Sequence, residues 1–288
     1  MRNLLWTGIC SPWLLLSAPL EGTEMPVDAI PLWKGKPPQS RVKEGFRPWL
    51  ECYLVQTEEQ RGAVLVCPGG GYGGRADHEA RPVAEAFRSR GCHGFVLHYR
   101  VSPHRHPEPL MDAARAVQII RHRAKEWKVN KDKIAVLGFS AGGHLAASLG
   151  VHYERAPVGK KDAINKESCR PDALVLCYPV ITSGKYRHEG SLKNLLGEQD
   201  SEAMREVLSL EKHVTDKTPP TFLWHTSDDQ GVPVQNSLLF AESLFSSSVP
   251  SELHIYPTGR HGLGLAPEDP HIASWVDLAA QWLYGMGW

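Results

Sequence analysis

Several things are missing from this 288-residue sequence, and each absence excludes a class of protein. There is no excess of either charge: Lys and Arg number 32, Asp and Glu number 32, and the formal charge is zero. A phosphate-backbone binder would show a basic excess or stripe, so nucleic acid is not an expected partner. No pair of cysteines has the CxxC spacing of a metal knuckle, and no Gly-Lys-Ser/Thr closes a glycine loop in the manner of a phosphate cradle. No uncharged run is long and continuous enough to be a stable membrane span. The N-terminal one, Leu4 to Leu20, is interrupted by Gly8 and Pro12. There is no internal repeat and no low-complexity tract.

What is present is globular. Apolar residues make up 42% and charged residues 22%, and a chain of this size can bury a large core as one domain. The first 22 residues, a basic Met1-Arg2-Asn3 followed by the apolar run, have the pattern of a secretory signal peptide, so a secreted or periplasmic location is expected. Of the other cysteines, Cys67 and Cys177 lie in apolar runs and read as buried thiols. A Cys169–Cys177 bridge is open to an exported protein.

From Leu32 onward strands alternate with helical stretches. Apolar runs at Ala63–Cys67, Gly94–Tyr99, Lys133–Gly138, Asp172–Tyr178, Thr221–His225 and Leu253–Tyr256 predict strands. Helical spacing covers Ala80–Ser89, Leu110–Trp127, Ala141–Val151, Val234–Phe245 and Ile272–Tyr284, with arginines on the opposite face of the second. Such alternation predicts an α/β fold, a mostly parallel sheet with helices on both faces. Residues 32–288 read as one domain, with a small polar insertion at about 181–219 over the site. Chemistry is then expected just after strands, beyond their carboxyl ends.

Gly138-Phe139-Ser140-Ala141-Gly142 is a G-x-S-x-G motif between a clean apolar strand and an Ala-rich helix, the context a nucleophile elbow requires. Its glycines leave room in a crowded turn, and a helix start favours negative charge developing at Ser140. The plainer reading is a glycine-rich helix start without catalysis. A serine needs a base. His261, in the loop between the last strand and the last helix, is the histidine placed at the sheet's carboxyl edge, whereas His254 lies in a strand and His271 opens a helix. The acid comes from Thr226-Ser227-Asp228-Asp229-Gln230. Spacing leaves Asp228 and Asp229 both open, although adjacent side chains in a turn diverge and only one can serve. Backbone donors for an oxyanion are available in Pro68-Gly69-Gly70-Gly71-Tyr72-Gly73-Gly74 and at the N–H of Ala141. His104-Arg105-His106 has no third ligand at a metal-type spacing and reads as a solvated loop.

Taken together, Gly138–His144, the PGGGYGG run, Tyr99-Arg100 with His106-Pro107 and Asp112, His225-Thr226-Ser227-Asp228-Asp229 leading to Val232-Pro233, and His261-Gly262 resemble the bacterial acetylesterase and acetylxylan-esterase-like branch of the α/β hydrolases. That branch is related to feruloyl esterases and to hormone-sensitive-lipase-type carboxylesterases. The resemblance covers Leu32 to the C-terminus. It implies a cofactor-free serine carboxylesterase that removes acetyl or other short acyl groups, often from plant polysaccharide. It also implies Asp229 as the acid, from the H-x-x-x-D-x-x-V-P pattern, and Gly70 and Gly71 as oxyanion donors, with Pro68 where the lipase-type members carry His. Asp112 with Arg100 is expected to be a structural ion pair. A prolyl-oligopeptidase-type serine peptidase and a silent hydrolase-fold binding module are the alternatives. Substrate preference and oligomeric state are not written in the sequence.

Overall fold

A computed structural model describes residues 25, 29–40, 45–156, 159 and 162–288, so the expected signal segment lies outside the described residues. Eight strands form one sheet: β1 (Ile30–Pro31), β2 (Trp49–Tyr53), β3 (Arg61–Cys67), β4 (His93–His98), β5 (Val129–Phe139), β6 (Ala173–Cys177), β7 (Thr221–Thr226) and β8 (Ser251–Tyr256). Their spatial order is β1-β2-β4-β3-β5-β6-β7-β8. Strands β4 to β8 with β3 are parallel, and the β1–β2 and β2–β4 pairings are antiparallel.

The apolar runs become strands because both faces are covered. Side chains alternate across a strand, so Leu65, Leu174 and Leu176 enter one core with Leu145, Leu149 and Phe240. Their neighbours Val64, Val66 and Val175 enter the other, with Phe87, Trp275 and Leu283. The helices α1 (Arg81–Ser89), α2 (Glu108–His122), α3 (Ala124–Trp127), α4 (Ser140–His152), α5 (Glu189–Leu196), α6 (Glu202–Val207), α7 (Gln235–Ser246), α8 (Pro270–Ala273) and α9 (Trp275–Gly285) supply those layers. Strand β3 leads outward to β4, and the chain then returns to place β5 on the other side of β3. Between the carboxyl ends of β3 and β5, where the connections diverge, an open α/β sheet leaves a crevice. The glycine run follows β3 and Ser140 follows β5, so both meet there.

Several expectations need correction. Strands β1 and β2 had no signal: they are short, antiparallel, and lack a continuous apolar run. The single helix expected over Leu110–Trp127 is α2 and α3, broken at Arg123, where φ is −94° and ψ 10°. Two of its arginines do not face water. Arg115 and Arg121 are buried and bind Asp162 and Asp172, because α2 lies between the sheet and the segment before β6. The stretch at 181–219 is less polar in its role than in its composition. It carries α5 and α6, and Leu192, Leu195, Leu196, Leu208 and Leu210 join the core.

The histidine loop is not solvated either. His104 is buried, with Nδ1 at 2.6 Å from Glu108 Oε2, and the Arg105 guanidinium donates to the Asn194 carbonyl. Arg100 and Asp112 do form an ion pair, closed by two 2.8 Å contacts from Nε and Nη2. Cys169 and Cys177 are both free thiols, as are Cys52, Cys67 and Cys92. Burial pushes the Cys67 and Cys177 thiols far above their ordinary range.

Candidate active site

Ser140 is the first residue of α4, and its φ of 52° lies in the left-handed region. A non-glycine residue held there is strained, and such strain persists only where its surroundings impose it. The flanking glycines show why. A Cβ on Gly138 would come within 2.1 Å of the Gly142 carbonyl oxygen, and one on Gly142 within 2.1 Å of the Cys67 carbonyl oxygen. The strand, the turn and the glycine run are packed so closely that G-x-S-x-G is a steric requirement as much as a chemical one.

His261 reaches this serine from 121 positions further along the chain: Nε2 is 2.8 Å from Ser140 Oγ. Its other nitrogen, Nδ1, is 2.7 Å from Asp229 Oδ2. The carboxylate can only accept, so Nδ1 carries the hydrogen and Nε2 is left free to take the serine proton. Asp229 Oδ1 in turn accepts the N–H groups of Gly231 at 2.7 Å and Val232 at 2.9 Å. Burial on its own would raise the Asp229 carboxyl, but the hydrogen bonds from His225, His261 and the Val232 N–H outweigh it and hold the group well below the usual carboxylate range. Asp228 points elsewhere. It is exposed and accepts the Gly259 N–H at 2.7 Å, tying the two loops together. Distance therefore separates the two aspartates that spacing left open.

Gly69 N–H donates to Glu79 at 2.7 Å, and Gly73 and Gly74 N–H both donate to the Gly70 carbonyl. The N–H groups of Gly70 and Gly71 enter no hydrogen bond among the described residues. Their φ angles of 123° and 61° turn the backbone into a conformation that suits glycine. Ala141 lies in the first turn of α4, where a helix N–H has no intrahelical partner. Asn194, on α5, donates to the Gly71 carbonyl at 3.0 Å, so the 181–219 segment packs onto this loop.

Four further residues at the site carried no sequence signal beyond a pattern position or none at all. His225 is wholly buried behind Asp229. Tyr178 presents its ring edge-on to His261, centroids 5.0 Å apart, and Glu79 binds the Tyr178 hydroxyl at 2.6 Å. His188 precedes α5 and receives the Ser191 N–H at Nδ1. Burial lowers its ring's affinity for a proton, and the neighbouring His261 lowers it further. Beside the histidine loop runs a groove of about 490 Å³ that mixes Leu263 and Leu265 with Arg260, Glu268 and Asp269. Among the described residues no group of three or more His, Cys, Asp or Glu could hold a metal ion, and no helix is long and apolar enough to cross a membrane.

Comparison with known proteins agrees with this architecture. An acetyl ester-xyloside bifunctional hydrolase from Caldicellulosiruptor lactoaceticus superposes with a TM-score of 0.86 and 45% identity, covering 92% of this chain and 98% of that one. An endo-1,4-beta-xylanase B from Butyrivibrio fibrisolvens is 38% identical over 85% of this chain and 39% of its own length. An acetylxylan esterase from Xylanibacter ruminicola is 28% identical over 82% of this chain and 46% of its own. The chain thus spans less than half the length of these two curated relatives. Residues 50–244, which run from β2 through most of α7 and include Ser140 and Asp229, match the BD-FAE family model. The chain belongs to the BD-FAE family of α/β hydrolases.

Proposed function

We propose that this protein is a serine carboxylesterase that hydrolyses short-chain acyl esters, acetyl above all, carried on carbohydrate such as acetylated xylan. The observation that carries the reading is the relay itself: Ser140 Oγ to His261 Nε2 at 2.8 Å, and His261 Nδ1 to Asp229 at 2.7 Å. Ser140 attacks the ester carbonyl while its proton passes to His261 Nε2. The N–H groups of Gly70, Gly71 and Ala141 receive the negative charge that forms on the carbonyl oxygen. The tetrahedral intermediate collapses as His261 returns the proton to the departing sugar oxygen, leaving the acyl group on Ser140. Water then attacks the acyl carbonyl, giving up a proton to the same imidazole, and the second tetrahedral intermediate collapses as His261 returns that proton to Ser140 Oγ, which breaks the acyl–oxygen bond and releases the carboxylic acid.

The names of the relatives, an acetylxylan esterase and an acetyl ester-xyloside hydrolase, support the acetyl and xylan parts of this reading. The groove beside His261, with apolar and hydrogen-bonding side chains interleaved, suits the two faces of a sugar ring. Export is proposed from the first 22 residues, and fractionation of the producing cells tests it. For the activity, the test is a panel of acetyl to feruloyl esters on free sugars and xylan fragments, run beside a Pro-linked anilide. Acetylated xylo-oligosaccharides should give the highest kcat/KM. Faster cleavage of the anilide, or no ester turnover at all, overturns the proposal.

A further inference from the structure

Glu79 is 2% exposed, yet it lies in a short turn of 3-10 helix between the glycine run and α1. No Arg or Lys pairs with it among the described residues, and the exposed His78 comes no nearer than 3.7 Å, from Nε2 to Oε1. The close contacts are from neutral donors: Oε2 takes the Gly69 N–H at 2.7 Å, and Oε1 takes the Tyr178 hydroxyl at 2.6 Å. The same hydroxyl oxygen accepts the Gly264 N–H at 2.7 Å. A buried carboxylate held in this way is costly, so its partners are strongly defined.

Those partners belong to the two halves of the site. Gly69 is wedged against the nucleophile: a Cβ there would come within 2.6 Å of Glu79 Oε2 and 3.0 Å of Ser140 Cβ. Gly264 is three residues beyond His261, on the same loop. Tyr178 directly follows β6 with a φ of 36°, a strained value for a bulky residue, and its ring flanks His261. One carboxylate therefore joins the loop that carries the oxyanion donors to the loop that carries the base.

We infer that Glu79 is a positioning residue, which holds the Gly69–Gly71 loop and, through the Tyr178 hydroxyl, the His261 loop in register with Ser140. The inference rests on the serine-esterase reading of the site. Glu79→Gln is close to isosteric but puts an NH2 where one acceptor oxygen stood, so either the Gly69 N–H loses its acceptor or the Tyr178 hydroxyl must turn its own proton away from this residue. Tyr178→Phe keeps the ring against His261 and removes the hydroxyl alone.

The experiment measures kcat and KM for p-nitrophenyl acetate, normalised to active sites titrated with a serine-directed phosphonate, for both variants and their double. Titration failing in the wild type, or persisting in Ser140→Ala, would instead count against the esterase reading. In E79Q, kcat per titrated site should fall about 10- to 100-fold, the scale on which small misplacements act, with KM within about threefold. Phosphonate titration keeps unfolded protein out of that figure. The double variant should lose less than the product of the single losses, since both act on one network. A kcat per site within twofold of wild type in E79Q, or losses that multiply as independent effects, overturns the inference. If E79Q yields no soluble protein, Y178F decides: its kcat per site should fall at least about threefold, and an unchanged value overturns the inference.

Discussion

His225 Nε2 lies 3.3 Å from Asp229 Oδ2, the same oxygen that meets His261. Nε2 is also 2.9 Å from the Val232 carbonyl, which can only accept, so this nitrogen carries the ring hydrogen. Nδ1 then accepts from the Ser237 hydroxyl at 2.8 Å. The carboxylate is thus gripped from the core by one imidazole while it orients another at the surface. His225→Phe should orphan the Val232 carbonyl and the Ser237 hydroxyl, costing on the order of 2 kcal/mol of stability, and should lower kcat as the carboxylate loosens. Thermal unfolding and steady-state kinetics check both; a variant as stable and as active as the parent would remove His225 from the account.

The two adjacent aspartates should behave very differently. Asp229→Asn loses the acceptor that sets the imidazole tautomer, and kcat should drop by about a thousandfold or more. Asp228→Asn disturbs one exposed hydrogen bond to the Gly259 N–H, so activity should stay within about fivefold. Equal losses in the two variants would mean that the acid has been misassigned.

Packing around the nucleophile yields a prediction about stability. A Cβ on Gly142 would meet the carbonyl oxygens of Cys67 at 2.1 Å and Pro68 at 2.4 Å, both backbone. Gly142→Ala should therefore cost on the order of 3 kcal/mol, with lower soluble yield. Gly74→Ala is the control, because nothing lies within 4 Å of a Cβ there. Melting temperatures should fall for the first and hold for the second.

Acid should destabilise the fold through His144. Burial pushes its ring down to about 4 from an ordinary 6.5. Its Nδ1 meets the Tyr72 hydroxyl at 2.9 Å and its Nε2 the Leu208 carbonyl at 3.2 Å. The unfolded chain takes up a proton near pH 6.5 and the folded one near pH 4, so this contribution is fully present above 6.5. It is lost progressively as pH falls between those values, by about 3 kcal/mol at full effect. Replacing His144 with Gln should flatten the fall in melting temperature across that window; an unchanged slope would show that other groups cause it.

Much of the fold was legible because local rules govern it. The runs Ala63–Cys67, Ile134–Gly138 and Ala173–Tyr178 are apolar throughout because parallel strands are covered on both faces. Where this condition fails, at the edge strand Ile30–Pro31 and its antiparallel neighbour Trp49–Tyr53, so does the signal. The helix at Glu108–His122 was misjudged in the opposite direction. Arginine marks a wet face only when no acid is folded over it, and Asp162 and Asp172 are.

Hydrophobic period and glycine at close approach were enough to give the strand–turn–helix at Ser140 and the loop placement of His261. It is three-dimensional packing that puts Asp229 rather than Asp228 against His261, leaves Cys169 and Cys177 unbridged, and sets Glu79 and Tyr178 behind the site. The reason is physical. Period and composition report how each stretch of backbone meets a core, whereas the direction of a side chain in a turn, and its partner a hundred residues away, depend on how the twisted sheet and its loops close in space.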